Sequence, residues 1–544
     1  MKPLEGYNKL RGGYYTPKII ADFITEWAIR SATDEVLEPS CGDGVFIETV
    51  CNKLTRRNSE KTDTRKQITG IEIDPHEALK ASKYSATIIR EDFFTFYKTN
   101  DKLYDVVVGN PPFIRYQNFD EDYRKIAFEL MKTHGFSPNR LTNIWLPFLV
   151  LSCKALKENG RIGMVIPAEL FQVDYAAETR SFLSDFFDNL TIITFKELVF
   201  KDIQQEIVIL LGEKTNPNKG IRVIELQNEN ELNQGEYSAE IKELDHSSEK
   251  WVKYYLSNDE LHFLRLLNQD TRITSTTELF EVNVGLVSGE NDFFVINKDI
   301  VNQYNLHNYV LPIVSKAEQV KGLMFTNDNL YEIIHNNRRV FLFNPSDLPL
   351  EDLSISEQSY IKYGEEQNFH KNYKCRVRKR WYIVPKTWDP EAFFVRQANM
   401  YPRIILNQTD VCVTDTLHKI RFRDGVNKKA VTGAFINSYT LAQSETMGRS
   451  YGGGVLTFEP GEVRKLRIPM IGADNLDLLQ MDKWQRDGQI KTLINYTDDI
   501  LLKHGLGLCY REIEMLNNIW CKLRDRRINR KNGHKIKCKN RKVG

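Results

Sequence analysis

The N-terminal half of this 544-residue chain predicts a doubly wound α/β fold, and three observations support that prediction. Short runs rich in Val and Ile alternate with amphipathic helical patterns. The runs are continuously apolar, which is typical of parallel strands buried on both faces. Polar or acidic residues follow successive runs. Alternating strands and helices form βαβ units, so the polar groups should meet at one edge of a parallel sheet.

Bulk composition predicts a cytoplasmic protein with at least two domains. A chain of 544 residues exceeds what one hydrophobic core organises. Its 41% hydrophobic and 27% charged residues are ordinary for globular proteins. No apolar run reaches the roughly 18 residues of a membrane span, and no signal-peptide core follows Met1. Eight cysteines without paired spacing predict reduced thiols rather than disulfides.

The first helix is predicted to begin at Thr16-Pro17, with Thr16 as N-cap and Pro17 as the first helical residue. Apolar residues at helical spacing form its buried face: Ile20, Phe23, Ile24 and Trp27. The preceding glycines, Gly12 and Gly13, predict a flexible stretch that lets a ligand approach closely.

The next elements predict the first half of a nucleotide-binding βαβ unit: strand 36–38, turn 39–44 and a helix from Val45. The turn lacks the G-x-G-x-x-G phosphate cradle, and no G-x-x-x-x-G-K-[ST] motif occurs in the chain. Because Glu38 and Asp43 are acidic, this turn disfavours phosphate. It suits a ligand with a cationic amino-acid end.

Carboxylates also follow the next two predicted strands. Strand 68–74 contains Glu72 near its end, a position suited to accept the hydroxyls of a ribose. Strand 86–89 leads to Asp92 and Phe93, which pair an acceptor for an adenine amino group with an aromatic ring. Each carboxylate alone is more typical of a helix cap or a solvated turn. Their recurrence at successive strand ends favours a ligand site.

The fourth strand, 104–109, leads directly into Asn110-Pro111-Pro112-Phe113. This tetrapeptide combines a side-chain amide, a backbone carbonyl fixed by proline and an aromatic ring that we expect to be exposed. Taken alone, it fits a strand followed by a Pro-Pro turn better than a binding site. Beside the acidic strand ends, it favours a site that grips a flat ring and presents its amino group to an electrophile.

In their order, these motifs resemble class I methyltransferases that use S-adenosylmethionine, specifically TaqI-type (γ-order) adenine-N6 DNA methyltransferases. The resemblance implies a class I methyltransferase-like doubly wound sheet followed by a mixed α/β target-recognition domain that binds double-stranded DNA. By position it implies these cofactor contacts: Thr16, Pro17, Glu38, Cys41, Gly42, Asp43, Gly44, Glu72, Ile73, Asp92, Phe93 and Asn110. It implies a catalytic role for Asn110, Pro111, Pro112 and Phe113, with Phe113 and Phe200 stacking on the target base. Phe200 fits a core position nearly as well.

The remaining elements continue the α/β pattern. A helix is predicted over 141–156, stopped by Asn159-Gly160, and strands over 161–167, 190–195 and 206–211. The polar stretch 227–258 predicts a linker. Beyond it we expect helices over 259–268 and within 489–524, and strands over 404–407, 416–420 and 463–469.

Three features of the C-terminal half leave alternatives open. Segment 373–382 interleaves basic and aromatic residues, so Arg376, Arg378, Lys379 and Arg380 are candidate DNA contacts; a solvated basic strand edge fits as well. The glycines at 452–454 suit a close backbone approach to DNA or to another loop. Residues 522–544 hold eleven Lys or Arg and one acid, a local charge of +10 (eleven minus one), which predicts a mobile tail that touches a polyanion or is simply solvated.

We expect no metal, because Cys521, His534 and Cys538 lack a fourth zinc ligand. The expected domains are catalytic (1–245), target recognition (246–510), and a helix with a basic tail (511–544). The expected protein is a monomeric, site-specific adenine-N6 DNA methyltransferase that protects DNA from a cognate restriction endonuclease. Because the cofactor motif begins at Thr16, we expect no nuclease ahead of it. The alternatives are an RNA adenine-N6 methyltransferase and a non-catalytic DNA-binding subunit, which the intact motifs disfavour.

Overall fold

The computed structural model describes residues 15–57, 64–115, 118–200, 205–235, 237, 239–247, 249–385, 388–451 and 454–529. Two compact units divide the chain, the first ending at Leu261 and the second beginning at His262. The domain boundary expected between residues 245 and 246 therefore falls inside the first unit.

The first unit is built on an eight-stranded sheet with the order β3-β2-β1-β4-β5-β7-β6-β8. Its strands are β1 (Val36–Glu38), β2 (Ile68–Ile71), β3 (Thr87–Ile89), β4 (Tyr104–Gly109), β5 (Leu156–Pro167), β6 (Asn189–Phe195), β7 (Ile207–Glu213) and β8 (Gly220–Leu226). Strand β7 runs antiparallel to both of its neighbours, and all other pairs are parallel. The doubly wound α/β prediction is confirmed.

The strand order reverses between β1 and β4, which pair directly. At such a switch point the connections leave the sheet in opposite directions and open a crevice at the carboxyl ends of the strands. The turns that follow β1 and β4 therefore face one another across the crevice. They hold the acidic turn 39–44 and the tetrapeptide that begins at Asn110.

The helices of the first unit alternate with its strands. They are α1 (Lys18–Ala28), α2 (Val45–Arg57), α3 (Pro75–Ala81), α4 (Phe93–Thr99), α5 (Glu121–Thr133), α6 (Trp145–Lys154) and α7 (Ala177–Phe186), followed by α8 (Asn258–Gln269), which crosses into the second unit. One continuous apolar core joins helices α1 through α7 to the strands, with Val106, Val107 and Val108 of β4 fully buried. Helix α1 lies so close to β5 that a side chain at Gly163 would come within 2.4 Å of Ile24.

Three segments of the first unit differ from the predictions. Helix α6 ends at Lys154 and β5 already begins at Leu156, so Asn159-Gly160 lie within a strand instead of stopping a helix. The register of β5 against β4 shifts near Tyr104, which accommodates these residues. The stretch predicted as a linker instead packs on the first unit's core, where Trp251 and Tyr254 are buried. Strand β8 was not predicted.

The second unit contains four smaller sheets, with the orders β10-β19-β15-β17-β13, β11-β14-β12-β18, β16-β21-β20 and β22-β9. Their strands are β9 (Ile273–Ser275), β10 (Phe280–Val284), β11 (Val295–Ile296), β12 (Val310–Val314), β13 (Met324–Phe325), β14 (Phe341–Phe343), β15 (Ala392–Val395), β16 (Gln397–Ala398), β17 (Ile404–Asn407), β18 (Cys412–Val413), β19 (Leu417–Phe422), β20 (Arg449–Tyr451), β21 (Val455–Thr457) and β22 (Arg467–Pro469). The predicted strands over 404–407 and 416–420 are β17 and β19, whereas only the end of 463–469 is a strand.

The helices of the second unit complete a mixed α/β architecture. They are α9 (Thr276–Leu279), α10 (Asn291–Phe294), α11 (Lys298–Gln303), α12 (Asn327–His335), α13 (Ile355–Glu366), α14 (Tyr373–Arg376), α15 (Lys428–Ala434), α16 (Ser438–Met447), α17 (Pro460–Val463), α18 (Leu478–Arg486), α19 (Ile490–Asp498) and α20 (Tyr510–Asn529). A π-helical segment, Asp499–Gly505, follows α19. In the part of the chain that the structure describes, no helix has the length and apolar character needed to cross a membrane.

Helix α16 is buried from Ser438 through Glu445, and two buried charges hold its ends. At its start, Asp498 accepts hydrogen bonds from the backbone N–H of Ser438 (2.8 Å) and from its hydroxyl (2.6 Å). Burial raises the pKa of Asp498 to about 6, against the opposing effect of these bonds. Near its end, Glu445 pairs with Arg527 of α20 at 2.7 Å, and each side chain is 3% exposed.

Contacts of Arg527 favour one of the two alternatives left open for the glycine-rich loop, and its place on α20 corrects the expectation of a mobile tail. Its guanidinium donates to the carbonyl of Gly454, where φ is +74° and a Cβ would lie 2.9 Å from the Arg527 carbonyl. At Gly454 the glycine-rich loop therefore approaches another part of the protein; Gly452 and Gly453 lie outside the described residues. The predicted mobile tail is wrong for residues 522–529, which complete α20. Residues 530–544 lie outside the described part.

Candidate functional site

The turns after β1 and β4 are joined by a hydrogen bond at the switch point. The Ser40 hydroxyl donates to the backbone carbonyl of Asn110 at 3.3 Å. This contact fixes the acidic turn against the start of the tetrapeptide. The sequence placed both segments at strand ends but did not identify Ser40 as the link between them.

Glu38 is a buried carboxylate at the end of β1. Its side chain is 2% exposed, and Oε2 accepts no hydrogen bond from the described residues. Burial raises its pKa well above the ordinary value, as do the charges of Glu72 and Asp43, while the Ile47 backbone N–H acts in the opposite direction. A buried carboxyl group with an unused oxygen fits a cationic ligand group, which would stabilise its charged form.

The glycines of the turn leave space beside Glu38. Gly42 has φ of +53°, and no atom lies within 4 Å of the position that a Cβ would take. Gly44 has φ of +90° and approaches Ala81 of α3 so closely that a Cβ would clash with it. Cys41 is buried, and burial raises the pKa of its thiol, as expected of a packing residue.

Glu72 holds the turn in place from the end of β2. Its Oε2 accepts from the Gly42 backbone N–H at 2.9 Å, and its Oε1 accepts from the Asp74 backbone N–H at 2.7 Å. Burial is the largest influence on Glu72 and raises its pKa. Each carboxylate oxygen has a second lone pair, so these bonds leave acceptor capacity for a ribose hydroxyl. Ile73, beside it, is 51% exposed.

Asp92 caps a helix and also keeps a carboxylate oxygen for a ligand, the two roles that the sequence left open. Its Oδ1 caps α4 by accepting from the backbone N–H groups of Phe94 and Thr95, both at 3.0 Å. Its Oδ2 accepts no hydrogen bond within the described chain. Burial raises the pKa of Asp92. The cap is therefore observed, and Oδ2 is the atom suited to an adenine amino group.

Phe93 is less accessible than expected of a ring that covers a ligand. It is buried in the core and stacks on Phe148 of α6, with ring centroids 5.1 Å apart and 19° between the planes. One ring face is therefore occupied by protein. Phe148, which sequence reasoning missed, shares this aromatic layer; its place in a uniformly apolar helix offered no signal.

Thr16 orients the amide of Asn110 instead of capping α1. The helix begins at Lys18, with Pro17 in the N-cap position and no side-chain capping bond. The buried Thr16 hydroxyl accepts a hydrogen bond from Asn110 Nδ2 at 3.1 Å, across 94 residues of sequence. The N-cap expectation is wrong because the hydroxyl serves this distant amide. Since the amide is planar, Oδ1 points away from Thr16.

The aromatic ring of the tetrapeptide is buried, not exposed. Phe113 is 8% exposed and belongs to the core of the first unit, as does Phe200. The expectation of an exposed ring is therefore wrong, and the stacking role of both rings stays a prediction. Pro111 is buried and Pro112 half-buried, in keeping with a rigid turn.

Asn143 is a further polar group beside the tetrapeptide. Its Oδ1 is buried and accepts no hydrogen bond from the described residues. The backbone N–H of Ile144 donates to the Ile114 carbonyl at 3.2 Å, which places Asn143 next to the end of the tetrapeptide. Asn before a helix normally indicates an N-cap, yet α6 has no side-chain cap, so the sequence offered no signal for a different role.

The candidate DNA contacts of the second unit separate into two kinds. Arg376 and Lys379 are exposed. Arg378 donates to the Val287 carbonyl at 3.0 Å, and Arg380 pairs with Asp347 at 2.6 Å. The segment is a short helix with turns, so the strand-edge interpretation is wrong.

The described part of the chain contains no cluster of three or more potential metal ligands. Of the three residues considered for zinc, Cys521 lies on α20 with a free thiol. His534 and Cys538 lie outside the described residues. All seven described cysteines are free thiols.

Comparisons with known proteins show which families the chain is similar to. Residues 39–200 match the Eco57I restriction-modification methylase family, and residues 248–502 match the C-terminal domain of the type II methyltransferase M.Eco57I. The type II methyltransferase M.AccI of Acinetobacter calcoaceticus is 25% identical over 505 residues, which cover 87% of each chain. M.XamI of Xanthomonas campestris pv. amaranthicola is 23% identical over 486 residues, which cover 85% of each.

A solved structure of the type IIL restriction-modification enzyme MmeI in complex with DNA has a similar fold, with a TM-score of 0.58 at 11% identity. The similarity covers 93% of this chain and 75% of the MmeI chain. The predicted class I methyltransferase-like α/β fold is confirmed. With two family matches along the sequence and relatives aligned over most of their length, the chain is similar to the Eco57I-like type II restriction-modification methyltransferases.

Proposed function

We propose that the protein transfers a methyl group from S-adenosylmethionine to N6 of an adenine in a specific sequence of double-stranded DNA. The observation that carries the proposal is the hydrogen bond from Asn110 Nδ2 to Thr16, because it directs the amide oxygen away from Thr16. An oriented acceptor at the switch point, beside a turn suited to a cationic ligand, fits transfer to an amino group.

The residues after β1, β2 and β3 fit the cofactor. Glu38 Oε2 would accept from its amino group, and the open turn at Gly42 leaves room for its methionine end. Glu72 would accept from the ribose, Asp92 Oδ2 from the adenine amino group, and Ile73 would cover a ring face. When bound, the cofactor supplies a methyl group on a positively charged sulfur.

The tetrapeptide would hold the acceptor amine. Adenine N6 is a weak nucleophile because its lone pair is delocalised into the ring. Asn110 Oδ1 and the Pro111 carbonyl would accept hydrogen bonds from the two N–H groups of this amine and turn its lone pair toward the methyl group. The Thr16 and Ser40 contacts hold Asn110 in place, so little reorganisation is needed during transfer.

An adenine within a duplex cannot reach this crevice, so the base must rotate out of the stack. Unstacking costs on the order of a few kcal/mol, and stacking on an aromatic side chain recovers about 1–3 kcal/mol. We propose Phe113 and Phe200 for this contact. Because both rings are buried, they would have to expose a face as the base enters.

The experiment is transfer of a labelled methyl group to DNA, followed by identification of the modified base and its sequence context. We expect N6-methyladenine at one site, and protection of DNA at that site from a cognate endonuclease. Asn110→Ala should lower turnover by on the order of 100-fold or more, because an oriented group that acts in the transition state is lost.

The control variant is Asn336→Ala, an exposed asparagine of the second unit, which should methylate DNA normally. Asn110→Ala should bind the cofactor with near-normal affinity. Normal turnover by Asn110→Ala, or methylation of RNA in place of DNA, would contradict the proposal.

A further inference from the structure

The segment 372–380 of the second unit, which we call the basic knob, displays cationic and apolar side chains together. It consists of the short helix α14 and the turn that follows it. Tyr373 is 67% exposed and Val377 is 62% exposed, unusual values for large apolar residues. Exposed cations stand between and beside them at Lys374, Arg376 and Lys379. The Arg376 guanidinium lies 5.8 Å from the centre of the Tyr373 ring.

The inner side of the basic knob is fixed to the protein. Cys375 is fully buried, and Asn372 donates to Glu290 at 2.6 Å. Arg378 donates to the Val287 carbonyl and lies over the Phe294 ring. Burial lowers the pKa of Arg378, as expected of a cation held against the protein. The outer side chains are therefore presented from a rigid base, which reduces the entropy that binding must overcome.

Close packing under the knob also indicates that its base is rigid. Gly289 has φ of +88°, and a Cβ there would lie 2.9 Å from Cβ of Lys374. Any larger residue at this position would push α14 outward. The Arg380 pair with Asp347 ties down the far end of the segment.

The outer cations of the basic knob lack an ion-pair partner in the part of the chain that the structure describes. Lys374, Arg376 and Lys379 form no ion pair with any described residue. By contrast, a polar groove of about 720 Å³ elsewhere in this unit contains cations that form ion pairs. There Arg339 pairs with Asp292 at 2.5 Å, and Lys316 lies 3.9 Å from Glu318. Among the described residues, the outer cations of the knob are thus without an ion pair, whereas these two cations of the groove are paired.

We infer that the basic knob binds the phosphate backbone of duplex DNA, with Tyr373 and Val377 against the sugars between phosphates. This inference rests on the proposed function, because it assigns part of the DNA surface of the same enzyme. Lys and Arg that neutralise phosphates release counterions, which makes such binding strongly salt-dependent. Contacts of this kind set position and affinity but do not read sequence. Arg378 and Arg380 are supports of the knob, not DNA contacts.

The test compares a triple variant, Lys374→Ala/Arg376→Ala/Lys379→Ala, with a matched control, Lys429→Ala/Lys465→Ala/Lys491→Ala. The control removes three exposed lysines of the same unit that also form no ion pair with described residues. Binding to a DNA duplex is measured between low and moderate salt by fluorescence anisotropy. The slope of log K against log salt should decrease by about 0.9 per lost phosphate contact, or about 2.7 for the triple variant. At roughly 0.1 M salt we expect at least tenfold weaker binding by the triple variant and near-normal binding by the control.

The apolar pair is tested separately with Tyr373→Ala and Val377→Ala, and with Tyr373→Phe as the conservative change. The two alanine variants should weaken binding several-fold without changing the salt slope, and Tyr373→Phe should bind normally. All these side chains are exposed, so melting temperatures and cofactor affinity should stay at wild-type values.

An unchanged salt slope in the triple variant, or an equal change in the control, would overturn the inference. So would a loss of binding to RNA or single-stranded DNA with duplex binding intact. Failure of the proposed function can be told apart from failure of this inference. If the wild type never methylates DNA but the triple variant still loses duplex affinity, the DNA-binding role of the knob is supported and the proposed reaction is refuted. If the triple variant methylates DNA normally and binds it with normal affinity, only the DNA-binding role of the knob is refuted.

Discussion

Replacing Glu38 with Gln should weaken cofactor binding while leaving the cofactor-free protein at least as stable as wild type. The substitution keeps the size of a side chain that is 2% exposed and removes its ability to ionise when the ligand binds; Oε2 is unbonded in the described structure. Opposite effects on ligand affinity and on stability are expected only of a residue that serves the ligand and not the fold.

The magnitude follows from the one bond that Glu38 is proposed to make. A hydrogen bond to a charged group contributes about 1.5–3 kcal/mol. At about 1.4 kcal/mol per factor of ten, affinity should decrease about 10- to 150-fold. Burial raises the pKa of Glu38, so the folded cofactor-free protein retains a proton that the unfolded chain releases above about pH 4.3. Stability of the wild type therefore falls as pH rises through that window, and Glu38→Gln removes this slope.

The assay is calorimetric titration with two ligands. S-adenosylhomocysteine retains the amino-acid end that Glu38 is proposed to bind, and 5′-methylthioadenosine lacks it. Only the first should bind more weakly to Glu38→Gln, and its affinity for the wild type should rise with pH. Equal losses for both ligands, or no loss for either, would refute the assignment of Glu38 to the amino group.

Three further predictions concern single contacts. Thr16→Val should lower kcat about fivefold, the effect of one hydrogen bond of about 1 kcal/mol to Asn110, and Thr16→Ser should restore it. Asp498→Asn should flatten the fall in stability between about pH 4 and 7 and raise stability above pH 6, because a pKa of about 6 instead of 3.8 costs the charged form about 3 kcal/mol. Glu445→Gln should lower the free energy of unfolding by about 3–5 kcal/mol, because it leaves the Arg527 charge buried and unpaired.

Each of these predictions has its own measurement. Methylation kinetics at saturating cofactor and DNA test Thr16→Val, and an unchanged kcat would contradict the positioning role. Thermal melts across pH test Asp498→Asn, and a wild-type dependence of stability on pH in this variant would contradict the prediction. Urea unfolding tests Glu445→Gln, with Asp499→Asn as control. Because Asp499 forms an exposed ion pair with Lys503, Asp499→Asn should lower the free energy of unfolding by under about 1 kcal/mol.

The parallel sheet was predictable because its signals are local. Val106 to Val108 are apolar without interruption, and the turn beginning at Asn110 follows them directly. Strand β8 was missed because Arg222 and Glu225 interrupt its apolar residues, and both remain only partly buried at the margin of the sheet. The stretch 227–258 was expected to be a linker because its polar residues conceal the buried Trp251.

The candidate site was predictable in its residues but not in its contacts. Glu38, Glu72 and Asp92 were identified because each lies at the end of a strand or within three residues after it. The partner of Thr16 lies 94 residues away, and no local pattern distinguishes a hydroxyl that caps a helix from one that holds a distant amide. Burial of Phe113 depends on which elements cover the turn, which is a property of tertiary packing.

The enclosure of helix α16 has a consequence for synthesis of the protein. Every residue from Ser438 to Glu445 is buried, and the covering helix α20 supplies Arg527 as partner of Glu445. The second unit begins at His262, so its central helix cannot reach its native environment until nearly the whole unit has left the ribosome. At roughly 5–20 residues per second, the unit remains incomplete for on the order of tens of seconds. During this interval the already synthesised first unit can fold by itself, so the catalytic half should mature before the half that follows it.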